Sequence, residues 1–272
     1  MSHRTSGTRG GRPGLLLAVW ALLLIVFAVS APMVQRTLGI PFELLALVML
    51  APAAASLIVL IRPSWLPRWW PHVPAGRVLV SSAAGLFAVV GFVATLALLT
   101  GRAPSWTAPG IASPLWLFLL LQTVGALGEE VGWRGVVQRA GEQFAKPAVV
   151  SAIAGFLFGV THLGYWSLGL VPVATFGFVA MLMSLTITTL FTGTLWQRMI
   201  TAVVVHLGVN LGIASLADAD EPLATTLPAL AAAAVMFALA VAFASVHHRA
   251  SSLRTTRGGR THPRGRRHRT RR

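Results

Sequence analysis

The sequence predicts an all-α protein, a polytopic bundle of about eight transmembrane helices. Three observations carry this expectation. The 272-residue chain is 55% hydrophobic and 11% charged, with a mean hydropathy of +0.73, whereas a soluble domain carries roughly 25% charged residues. Its apolar residues gather into runs that can cross a hydrocarbon core of about 30 Å, which takes about 20 helical residues. Counting those runs as alternating spans puts 20 of the 22 Lys and Arg residues on one side, as the excess of basic residues in cytoplasmic loops requires.

In chain order the runs cover residues 15–31, 41–61, 78–100, 113 to about 128, 147 to about 169, 170–191, 194–215 and 222–246. The first follows a basic segment with Arg4, Arg9 and Arg12. A cleaved signal peptide is the rival reading of this run, given the small residues near Ala31, and cleavage would leave seven spans. Between the second and third runs lie Arg62, Arg68 and Arg77, with Trp65, Trp69 and Trp70 at the expected inner interface; Trp106, Tyr165 and Trp166 fall at the outer one. Glu43 reads as interfacial and Glu142 as a solvated loop residue, and the acidic loop Asp218, Asp220, Glu221 falls on the outer face. An even number of spans places both termini in the cytoplasm of a multi-pass cell-membrane protein.

Residues 1–248 thus form a single transmembrane domain, with a core at about 113–215, and residues 249–272 an Arg-rich cytoplasmic tail. That tail has almost no apolar residues and is expected to be disordered. Its ten arginines suit anionic headgroups, each worth about 1 kcal/mol near the surface. No nucleic-acid partner is needed to account for it. With no cysteine in the chain, disulfides, thiolate zinc sites and cysteine nucleophiles are excluded. Gly-x-Ser-x-Gly, Gly-x-Gly-x-x-Gly and P-loop signatures are absent too.

Against this apolar background a few polar residues stand out. Glu129 and Glu130 lie side by side in the fourth run, two of only seven acidic residues. A carboxylate at bilayer depth costs about 2.5 to 3.5 kcal/mol on insertion scales, so an ionisable pair inside a span marks a functional site. On a helix Glu130 and Arg134 share one face and can pair, while Glu129 points about 100° away. Gly125, Gly128, Gly132 and Gly135 offer neighbouring helices a close approach. Phe158 precedes His162 by one turn in the fifth run, and His206 precedes Asn210, the chain's only asparagine, by one turn in the seventh. A histidine between helices can be a plain hydrogen-bond partner, but these two are the only ones of eight that fall within runs.

A carboxylate and an imidazole sharing one water can deprotonate it for attack on a carbonyl, and N–H donors can stabilise the oxyanion that forms. The same atoms suit zinc held by Glu129, His162 and His206 with an activated water. An ion-coupled transporter is a separate possibility, because intramembrane Glu and His also mark proton paths.

The ordered set Glu129-Glu130-x-x-x-Arg134, Phe158-x-x-x-His162 and His206-x-x-x-Asn210 resembles the three signature motifs of the CPBP family. That family contains the type II CAAX prenyl endopeptidases and bacterial bacteriocin-processing and self-immunity proteins. The resemblance implies an intramembrane endopeptidase acting on a membrane-anchored peptide or protein. By similarity Glu129 and His162 would activate water, His206 and Asn210 would bind the oxyanion, and Glu130 and Arg134 would support them. Family members are often called metalloproteases, and a metal-free scheme has also been argued; direct water activation is the favoured reading here, with one zinc ion as the alternative. A catalytically silent immunity or scaffold role is the other family-based option.

Depth poses one constraint. At 1.5 Å per residue, Glu129 lies about 24 Å from the outer start of its run and His162 about 22 Å from the inner start of its own. Starts at opposite edges of a 30 Å core would separate the two by roughly 16 Å in depth. Sharing a water calls for a fourth helix that reaches about Gln143 beyond the inner surface, a fifth that begins well inside the cytoplasm, or tilting that brings the two level; a long fourth helix is expected.

Overall fold

The computed structural model describes residues 12–42, 44–105, 114–216 and 226–258, the side chains of 248–258 excepted. The expectations for Glu43, Trp106 and the acidic loop at 218–221 lie outside the described residues, as does the tail beyond 258. Among those described, all regular structure is helical. Six helices have the length and apolarity of spans: α1 (Pro13–Leu38), α3 (Ala75–Thr100), α4 (Leu115–Gly141), α6 (Leu170–Leu190), α7 (Leu195–Leu216) and α8, apolar over Thr226–His247. Two shorter apolar segments, α2 (Leu47–Ile61) and α5 (Pro147–Val160), complete the eight expected runs. The α8 helix continues through Gly258, so residues 249–258, expected in the disordered tail, extend the last helix.

Lipid accounts for the outward faces. Leu22, Val29, Leu79, Leu98 and Leu170 are all more than 60% exposed, an arrangement hydrocarbon tolerates and water does not. This is a multi-pass membrane protein.

The fourth helix is long, as expected, running unbroken for 27 residues. Its bonding widens to a π-helix over Val131–Gln138, a device that recurs at functional sites. The fifth run departs from expectation. Its helix ends at Val160, and at about 21 Å it is too short to span alone. The rest folds as a 3-10 strap, Leu163–Leu168, and Gly169 at φ +103° turns the chain into α6.

Helix α4 is central to the site because α1, α2, α5 and α7 all pack on it. Glycine makes this possible. A Cβ on Gly132 would stand 2.7 Å from the Pro52 carbonyl oxygen, and one on Gly128 3.1 Å from that of Met49, so α2 lies backbone to backbone against α4. Trp20 of α1 donates from Nε1 to Ser56 Oγ of α2 at 3.0 Å and meets Trp133 edge-on at 5.2 Å. Toward the C-terminal end of α4, Gln138, fully buried, donates to Thr188 Oγ1 of α6 at 3.1 Å, and Thr188 donates to Ser151 Oγ of α5 at 2.8 Å. Glu142 is not solvated as expected: it accepts from Arg139 Nη1 at 3.2 Å with a side chain 9% exposed.

Helices α5 and α6 make the tightest pair. A Cβ on Gly159 would come within 2.6 Å of Gly177 Cα and 2.9 Å of the Phe176 carbonyl oxygen. Gly159→Ala is therefore expected to cost about 1 to 3 kcal/mol through overpacking, read as a lower unfolding midpoint in detergent micelles. Gly164→Ala, where a Cβ meets nothing within 4 Å, should leave the midpoint unchanged.

Candidate active site

The local end of α5 explains how His162 is held. In a continuing helix the Phe158 carbonyl would accept from the N–H of residue 162. That N–H instead donates to Gly159 O at 3.1 Å, and the freed carbonyl, an orphan of the helix terminus, accepts from the His162 ring Nδ1 at 2.8 Å and from Thr161 Oγ1 at 2.7 Å. A carbonyl only accepts, so Nδ1 carries the proton of the neutral ring and Nε2 keeps its lone pair. His162 therefore sits just past a helix end rather than within a span, with its basic nitrogen directed away from the backbone. The sequence run concealed this because residues 163–170 are mostly apolar and contain no proline, with only Gly164, Ser167 and Gly169 to mark a break.

On α4 the pairing expected from i, i+4 spacing is present: Arg134 Nε lies 3.3 Å from Glu130 Oε2, with both side chains essentially inaccessible. The contact is an ion pair without hydrogen-bond alignment. The guanidinium also lies 5.6 Å from the centre of the Phe158 ring, a cation–π contact.

His206 brings α7 to the same place. Its Nδ1 donates to Glu130 Oε1 at 2.8 Å, and its Nε2 lies 3.5 Å from Glu129 Oε2. Glu129 is 6% exposed and His206 1%. Spacing alone did not reveal that one imidazole would face both carboxylates, and no motif signal distinguishes that arrangement from a free donor. Asn210, one turn further along α7, is partly buried and makes no side-chain hydrogen bond among the described residues.

One ring organises the whole. Phe158 meets His162 edge-on at 4.7 Å, His206 at 5.5 Å and Trp133 at 5.7 Å. The two histidines thus flank a common phenylalanine, bringing α4, the end of α5 and α7 to one site. Glu129, Glu130, Arg134 and His206 form one charged cluster, while His162 is joined to it through the shared contact with Phe158.

The zinc set Glu129, His162 and His206 fits this arrangement poorly. Among the described residues no group of three or more His, Cys, Asp or Glu side chains is disposed to hold a metal. The reason is visible in the partners of His206: its Nδ1 is engaged by Glu130 Oε1 at 2.8 Å and its Nε2 faces Glu129 Oε2 at 3.5 Å.

Residues 111–212 match the family described as Type II CAAX prenyl endopeptidase Rce1-like. The match takes in all three motifs and agrees with the resemblance to the CPBP family read from them. No curated protein matches the chain.

Proposed function

We propose that this protein is an intramembrane endopeptidase that hydrolyses a peptide bond of a membrane-associated peptide or protein. The observation that carries the reading is the convergence on Phe158 of two histidines from separate elements, one of them against the Glu129 and Glu130 pair. The protease family match over residues 111–212 supports it.

In this scheme Glu129 and the Nε2 of His162 polarise a water between them, and one of the two takes its proton as oxygen attacks the carbonyl carbon. The tetrahedral oxyanion is received by the Asn210 amide, which has hydrogen-bonding capacity to spare. His206 is bonded to Glu130 through Nδ1 and lies beside Glu129 with Nε2, a supporting role proposed here in place of the oxyanion role expected for it. Arg134 fixes Glu130 in turn. The leaving amine recovers a proton from the same acid–base pair. None of these steps is routed through a metal. The proposal retains cytoplasmic termini in a cell membrane and a basic tail on anionic headgroups, with residues 1–248 as one domain.

The experiment uses purified protein in liposomes with a panel of membrane-anchored peptides, products being identified by mass spectrometry. A single new N-terminus, formed equally well after chelator treatment and lost in His162→Ala, is the expected result. Ion flux without cleavage would replace this reading with a transporter. Loss of cleavage on chelation, restored by zinc, would overturn the metal-free scheme.

A further inference from the structure

The hydrogen bond from Nδ1 to Phe158 O tethers the His162 ring but leaves it free to swing about that bond, so something else must fix where Nε2 points. Phe158 covers one part of the ring. A second contact comes from α6, where Phe176 meets His162 at 5.0 Å and 62°. Phe176 in turn lies flat on Tyr165 of the strap, 4.2 Å between centroids at 14°. Tyr165 is the chain's only tyrosine. Neither residue belongs to the three motifs.

The strap is anchored to the end of α5 by its own bonds. The Tyr165 N–H donates to His162 O at 3.1 Å, and Trp166 Nε1 donates to Val160 O at 2.9 Å. From the other side, the Gly159–Gly177 approach sets α6 so close that the Phe176 carbonyl would lie 2.9 Å from a Cβ on Gly159. The close α5–α6 approach thus fixes the Phe176 backbone, and its ring rests against Tyr165. The Tyr165 hydroxyl makes no hydrogen bond among the described residues.

We propose that Phe176 and Tyr165 are positioning residues for His162: Phe176, backed by Tyr165, packs on the imidazole and, together with Phe158, holds it at the tilt that aims Nε2 into the site. The inference rests on His162 acting in the proposed hydrolysis, and it adds the α6–strap pair to the machinery. Stacking, not the hydroxyl, carries the effect. Each ring is dispensable only if another aromatic ring replaces it.

The test compares Phe176→Leu, Tyr165→Leu, Tyr165→Phe and Phe176→Tyr with Phe178→Leu. The last removes an exposed ring of the same helix that packs on Phe156 at 5.2 Å, away from His162. Two readouts are taken on full-length protein with matched unfolding midpoints: kcat and KM for the cleaved peptide, and the rate at which diethyl pyrocarbonate modifies His162, followed by peptide mass spectrometry. Phe176→Leu is expected to lower kcat by about 10- to 100-fold, the scale of a misplaced catalytic group, with KM held and modification severalfold faster. Tyr165→Leu should follow in the same direction, while Tyr165→Phe, Phe176→Tyr and Phe178→Leu stay near the parent. Unchanged kcat and unchanged modification in Phe176→Leu would overturn the proposal. If the parent protein cleaves no peptide the hydrolase reading fails, and the modification rates still decide whether the pair positions the ring.

Discussion

Glu129→Gln is expected to lower kcat for peptide cleavage by about 10²- to 10⁴-fold, the span associated with losing a general base, while KM and the unfolding midpoint hold. The amide has the volume of the carboxylate, so the 6% exposed site keeps its packing. What goes is the capacity to accept a proton beside His206, whose Nε2 stands 3.5 Å away. The substitution therefore separates chemistry from scaffolding more cleanly than alanine would. Steady-state kinetics on the identified peptide, with thermal unfolding of the same preparation, provide the measurement. A kcat within a few-fold of the parent would remove Glu129 from the reaction.

The largest effect on stability is expected at Arg134. Arg134→Leu leaves Glu130 charged and without its cation in a fully buried position, and breaking a buried pair on one side costs about 3 to 5 kcal/mol. Removing both partners at once is different. Arg134→Leu combined with Glu130→Leu exchanges the pair for apolar side chains, a replacement that is often neutral in stability. The double variant should therefore recover much of the single variant's loss in midpoint while remaining inactive, since His206 Nδ1 then loses its 2.8 Å acceptor. Equal destabilisation by the single and double variants would mean that charge compensation is not what Arg134 supplies.

Much of this arrangement is legible in the sequence because membrane chemistry leaves few ways to read it. Carboxylates in an apolar run have to face the protein, and four-residue spacing is enough to pair Glu130 with Arg134. Depth arithmetic on Glu129 and His162 led to the expectation of a long fourth helix, and α4 reaches Gly141. Two features escaped. The early end of α5 is encoded by which donor takes the Phe158 carbonyl, a choice between the 162 N–H and the imidazole that apolar periodicity does not register. The double engagement of His206 depends on the rotation of α7 against α4, which spacing within a single helix does not encode. Glu142 illustrates the same limit, since a loop position gave no hint that Gln138 and Arg139 would enclose it.

The measurement that bears most directly on a shared water is a double-mutant cycle on kcat with Glu129→Gln and His162→Ala. Residues that act as one unit are strongly non-additive. The account predicts that the double variant is no slower than the poorer single variant. Losses that multiply, placing the double variant at the product of the two single effects, would mean that Glu129 and His162 work independently and would contradict the single hydrolytic centre.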